Sequence, residues 1–126
     1  MPPPPIWYIY FIPNCLHCRP SPKDKLVVIV CRDSLPYGFL INSRIHSWIA
    51  KDEGRIACQA ELKACDHTCL NQDSYVDCLE LYPFKEEDLT NRRDKVSAEA
   101  KAGIRAAVNQ SKMIETKYRD LILANG

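Results

Sequence analysis

The chain has 126 residues, a formal net charge of +1, and a composition that is 46% apolar and 26% charged. That length suits one core rather than two, and the balance of apolar and charged residues excludes a disordered or fibrous chain. Near-neutral charge also excludes a global electrostatic drive toward nucleic acid or an anionic membrane, so any basic surface has to be local.

The opening MPPPP lacks the backbone donors that regular structure needs, so residues 1–5 are expected as a flexible lead-in. Residues 6–12 (IWYIYFI) are aromatic and branched and predict a strand that Pro13-Asn14 ends. This N-terminal stretch has no basic n-region and its apolar run is cut at Pro13, so it matches neither a signal peptide nor a membrane span. A cytoplasmic protein without membrane attachment is expected. Residues 14–25 (NCLHCRPSPKDK) show no apolar periodicity and predict a long exposed loop that carries Arg19, Lys23 and Lys25.

LVVIVC at 26–31 is a continuous branched run bounded by charge, the pattern of a central strand buried on both faces. SLPYG at 34–38 turns the chain, and 39–42 returns as a third strand. Ile45, Trp48 and Ile49 stand at helical spacing in 43–51, which predicts a short helix over one end of the sheet. Residues 56–64 alternate with Ile56, Cys58, Ala60 and Leu62 inward, and 74–81 alternate up to Pro83. These strands, with no helix long enough for a βαβ crossover, predict an antiparallel sheet curled into a small barrel.

Beyond it, 85–89 start a helical turn, Arg92-Arg93 reads as a polar connection, and Ser97 is a fitting N-cap for AEAKAGIRAAVNQ. Ala100, Ile104, Ala107 and Val108 share the face that packs on the barrel; Asn109-Gln110-Ser111 marks a break before Ile114, Tyr118, Leu121 and Ile122 resume the spacing. The expected organisation is one mainly β (α+β) domain: the lead-in, a barrel over 6–84 and a helical segment over 85–126.

Seven cysteines, an odd number, sit mostly in alternating segments and are expected as free packing thiols. Cys15 and Cys18 around His17, and Cys65 and Cys69 around His67, also have spacings that zinc ligands use. A zinc-stabilised domain is therefore one reading, and packing thiols with neither metal nor cofactor the expected one. His67, Asp73 and Ser74 bring an imidazole near a carboxylate and a hydroxyl, the minimum for acid–base work; the alternative is turn chemistry beside a surface histidine. Arg19, Lys23 and Lys25 precede the central strand, where a cation cluster can hold a phosphate, or can simply be solvated.

A strand, a loop with an Arg-Pro pair and an apolar strand (CRPSPKDKLVVIV), then more strands and a closing helix with Ser97, Glu99 and Ile104, resembles the MazF/PemK family of toxin endoribonucleases. The likeness spans nearly the whole chain. It departs at the loop, where five residues separate Arg19-Pro20 from Leu26 and the family pair runs directly into its strand.

The resemblance implies an SH3-like barrel, a homodimer, an antitoxin protein as partner, and metal-independent cleavage of single-stranded RNA by an arginine with acid–base groups. Arg19 matches the loop arginine. On local chemistry His67, Asp73 and Ser74 complete the catalytic candidates, with Lys23 and Lys25 binding substrate. A non-catalytic module of the same barrel type, holding peptide, protein or nucleic acid, is the alternative from another class.

Overall fold

The protein is described from a computed structural model over residues 3–124. Its spine is β2 (Lys23–Asp33), which pairs antiparallel with β1 (Tyr8–Cys15) on one side and β3 (Leu35–Asn42) on the other. Val27 through Cys31 are wholly buried because the sheet is covered on both faces. Val28 and Val30 join Trp7, Ile9 and Phe39 in a core sealed by helices, whereas Val27 and Ile29 face a second core of Tyr10, Ile12, Cys15, Cys18, Phe84 and Leu89. Each such branched side chain contributes about 1.5–3 kcal/mol on burial, so this one strand anchors both cores.

The remaining strands are short. β4 (Gln59–Leu62) and β5 (Ser74–Asp77) extend the sheet beyond β3, β6 (Tyr82–Pro83) makes a two-residue bridge to β3, and β7 (Arg92–Lys95) pairs with β1 at the far edge. The order is β4-β5-β3-β2-β1-β7, every pairing antiparallel, and the sheet curls into a half-barrel. No ladder joins β4 to β7 among the described residues. The opening is crossed by side chains: Asp94 of β7 accepts from Thr68 Oγ1 at 2.9 Å and from the Cys69 N–H at 2.7 Å. At Gly38 β3 lies close against β2, and a Cβ there would be 2.2 Å from the Val28 carbonyl oxygen.

The expected helix over 43–51 is two short ones, α1 (Ser47–Ala50) and α2 (Glu53–Ile56), because Asp52 accepts from the Arg55 N–H at 3.1 Å and caps a new helix instead of ending the first. Ile56 is thereby helical and exposed, while Cys58, Ala60 and Leu62 point inward as the alternation predicts. The segment after residue 84 is not purely helical, since Arg92-Arg93 lies in β7 rather than in a connection. Ser97 does cap α3 (Ala98–Gln110), with Oγ accepting from the Ala100 N–H at 3.1 Å, and the chain breaks at Ser111 before α4 (Thr116–Ala124).

Within the lead-in, the Pro4 and Pro5 carbonyls accept from Arg32 and Tyr10 at 2.7 and 2.6 Å; Met1 and Pro2 lie outside the described residues. Among the described residues no helix is long and apolar enough to cross a membrane.

Candidate active site

The β1–β2 hairpin is built around a register shift between Ile12 and Cys15. Asn14 takes a positive φ of 50°, and its N–H is held by Asp24 Oδ1 at 2.9 Å. Cys15 and Cys18 then turn into the second core, the Cys18 N–H meeting the Cys15 carbonyl at 3.4 Å. With both thiols inward, Leu16 and Arg19 are left exposed and His17 lies across the aromatic wall of β6.

His17 stacks on Tyr82 with ring centroids 4.5 Å apart and meets Phe84 edge-on at 5.1 Å. Its Nε2 stands 2.7 Å from the Pro83 carbonyl oxygen. A carbonyl only accepts, so Nε2 carries the proton and Nδ1 of the neutral ring carries the lone pair. Nδ1 makes no hydrogen bond among the described residues. The hydroxyl of Tyr82 is pushed up to about 12, first by burial and next by the Glu80 carboxylate, so it stays protonated.

Two lysines begin β2 on the same hairpin. Lys23 is exposed; Lys25 is half-buried and donates from Nζ to Asn42 Oδ1 at 2.5 Å. Burial first, and then the charge of Lys23, lowers the Lys25 pKa and loosens its proton. A groove of about 570 Å³ runs along the hairpin past His17 and Phe84 toward Glu87 and Asp88.

The other predicted residues form a separate network at the β4–β5 connection. His67 is fully buried. Its Nε2 accepts from the Ser97 N–H at 3.1 Å, which requires the proton on Nδ1, and Nδ1 lies 2.8 Å from the Lys63 carbonyl oxygen. Both ring nitrogens are thus committed to backbone, and in this arrangement neither is open to a substrate proton. Asp73 accepts from the Ala64 N–H at 2.8 Å, and the buried Ser74 donates its hydroxyl to the Gln72 carbonyl at 3.0 Å. These bonds close a loop and seat it on the N-terminus of α3. No hydrogen bond or ion pair among the described residues joins them to Arg19, Lys23 or Lys25.

His67→Ala is therefore expected to leave the Ser97 N–H and the Lys63 carbonyl unpaired in a cavity, at a cost of about 2–4 kcal/mol. Urea unfolding measures that loss.

All seven cysteines are free. Among the described residues no three His, Cys, Asp or Glu side chains are grouped to hold a metal ion. His17 is the residue that sequence reasoning passed over, since its place between two cysteines suggested zinc spacing. The signal that could have found it is its position two residues from Arg19 in one loop.

A curled antiparallel half-barrel with helices against one face is a MazF-like fold. The Mycobacterium tuberculosis toxin MazF-mt6 superimposes on this chain with a TM-score of 0.60, over 82% of this chain and 94% of that one, at 17% sequence identity. No family model and no curated protein matches the sequence, so the likeness is one of fold.

Proposed function

We propose that the chain is a MazF-type toxin endoribonuclease that cuts single-stranded RNA at the β1–β2 hairpin. The observation that carries this reading is an accessible arginine two residues from a histidine whose tautomer is fixed by the Pro83 carbonyl, with two lysines on the same hairpin. The fold likeness to a toxin supports it. His17 Nδ1 takes the proton of a ribose 2′-OH, and the oxygen attacks the adjacent phosphorus. Arg19 stabilises the dianionic transition state, with Lys23 holding a neighbouring phosphate. The P–O5′ bond breaks as Lys25 gives its loosened proton to the leaving oxygen. In this scheme His67, Asp73 and Ser74 hold the loop and move no proton. A homodimer and a neutralising antitoxin belong to the same reading.

The test is purified protein with single-stranded RNA in EDTA. The expected products are one fragment ending in a 2′,3′-cyclic phosphate and one starting with a free 5′-OH, because the 2′-oxygen is the nucleophile. Duplex RNA should stay intact, and expression in cells should arrest growth. Binding without any cleavage would sink the proposal in favour of a non-catalytic RNA-binding module.

A further inference from the structure

Under the tip of the β1–β2 hairpin, Cys15 and Cys18 have the spacing Cys-x-x-Cys. The Cys18 N–H meets the Cys15 carbonyl at 3.4 Å, which closes a turn over Leu16 and His17. A turn of this kind holds its first and last Cα atoms within about 7 Å. A disulfide spans about 4.4–6.8 Å between Cα atoms, so the backbone is already shaped for one. Both side chains are buried in the same core, and the two thiols lie close enough to hydrogen-bond to each other. Both are free.

The surroundings favour redox chemistry over the alternatives for such a pair. A structural zinc takes four ligands, and His17 turns away from the sulfurs to stack on Tyr82 and meet the Pro83 carbonyl. Cys18 Sγ makes only a long contact of 3.9 Å with the Lys23 carbonyl oxygen. Cys58 and Cys78 are also neighbours, joined by the Cys78 N–H and the Cys58 carbonyl at 2.9 Å, but their thiols donate to Gly54 and Val76 at 3.3 and 3.8 Å.

A reagent can reach the hairpin pair. Cys15 lines the groove of about 570 Å³ that passes His17 and Phe84. Burial pushes its thiol up, while the His17 N–H at the sulfur and the Lys25 ammonium pull it back toward the thiolate. Attack by Cys15 is therefore slowed and not abolished, since the thiolate fraction and access together set the rate.

We infer that Cys15 and Cys18 are a redox-active dithiol that small-molecule disulfides oxidise, closing a Cys15–Cys18 bond beneath the hairpin turn. The Cys15 thiolate attacks one sulfur of the reagent, whose S–S bond breaks and releases one small thiolate. The Cys18 thiolate then attacks Cys15 Sγ and expels the second. Two cysteines are oxidised, one reagent disulfide is reduced to two thiols, and the protons lost by the cysteines end on those thiols. The new ring encloses Leu16 and His17, so its closure shifts the imidazole against Tyr82. The dithiol stands whether or not the hairpin cuts RNA.

The test is the native full chain incubated with glutathione disulfide, quenched by alkylation and digested with trypsin. Trypsin spares the Arg19-Pro20 bond, so residues 1–23 stay in one peptide whose only cysteines are Cys15 and Cys18. That peptide should escape alkylation, be lighter by two hydrogens than its dithiol form, and recover both thiols in dithiothreitol. Cys18→Ser should stop at the mixed disulfide, with one glutathione on Cys15. Cys65 is exposed and reports that the reagent is active. In wild type the ring-proton NMR signals of His17 should move on oxidation and return on reduction. Two free thiols in the 1–23 peptide once Cys65 is fully modified, a glutathione on each of Cys15 and Cys18, or closure in urea only, overturns the inference. So does a closed ring that leaves the His17 signals in place. The RNA assay is run on reduced protein, so its failure overturns the ribonuclease reading alone.

Discussion

Arg19→Ala is expected to slow single-turnover cleavage of single-stranded RNA by about two to four orders of magnitude, the range for losing a charge partner of the transition state. The fold should not notice. Arg19 is exposed and takes part in none of the ion pairs among the described residues, so its removal is a surface change worth within about 0.5 kcal/mol of stability. An unchanged melting temperature with a collapsed rate is therefore the signature to look for. Arg19→Lys should recover part of the rate, because an ammonium supplies the charge without the planar fork that grips two phosphate oxygens. An alanine variant as fast as wild type would show that the hairpin does not carry the chemistry, whatever the wild-type protein does to RNA.

Gly38→Ala is expected to cost about 3–5 kcal/mol, a large part of the stability of a domain this size. The added Cβ would meet the Val28 carbonyl oxygen at 2.2 Å and the Ile29 Cδ1 at 2.9 Å. The first of these is backbone of the neighbouring strand, which cannot rotate away. Gly38 is paired with Ile29 on one side and with Tyr82 on the other, so moving β3 outward disturbs both ladders at once. Denaturant midpoints measure the effect. Gly103→Ala serves as the control, since its Cβ would meet only the Ala60 Cβ at 3.9 Å and would remove a glycine from the interior of α3. Equal stability of Gly38→Ala and wild type would mean that β2 and β3 do not approach this closely.

The central strand was legible because burial on both faces writes itself as an unbroken apolar run, as LVVIVC does. The cap at Ser97 and the break after Gln110 were legible for a similar reason: caps and helix faces are local chemistry. β7 was not, because RRDK is an edge strand that pairs through backbone and keeps its charges in solvent, so no apolar alternation marks it. The candidate site divided in the same way. Arg19, Lys23 and Lys25 were read as candidates from a stretch rich in cations, and the structure leaves Arg19 and Lys23 exposed on the hairpin. The burial of His67, by contrast, depends on the Ser97 N–H and the Lys63 carbonyl, and the first of these is thirty residues away in sequence. Polar groups that satisfy one another across that distance leave no periodic trace.

A strand that feeds two cores is also a partition. The residues under the hairpin, Tyr10, Ile12, Cys15, Cys18, Val27, Ile29, Phe84 and Leu89, form one block, and those beneath α3 and α4 form another, with the sheet as their common wall. Substitutions in contact couple energetically, while those without shared partners add. A lineage can therefore re-line the hairpin block, and with it the shape of the loop that bears His17 and Arg19, while the helix-side block continues to supply fold stability. In a protein of this plan, the surface of the hairpin can drift without the scaffold drifting with it.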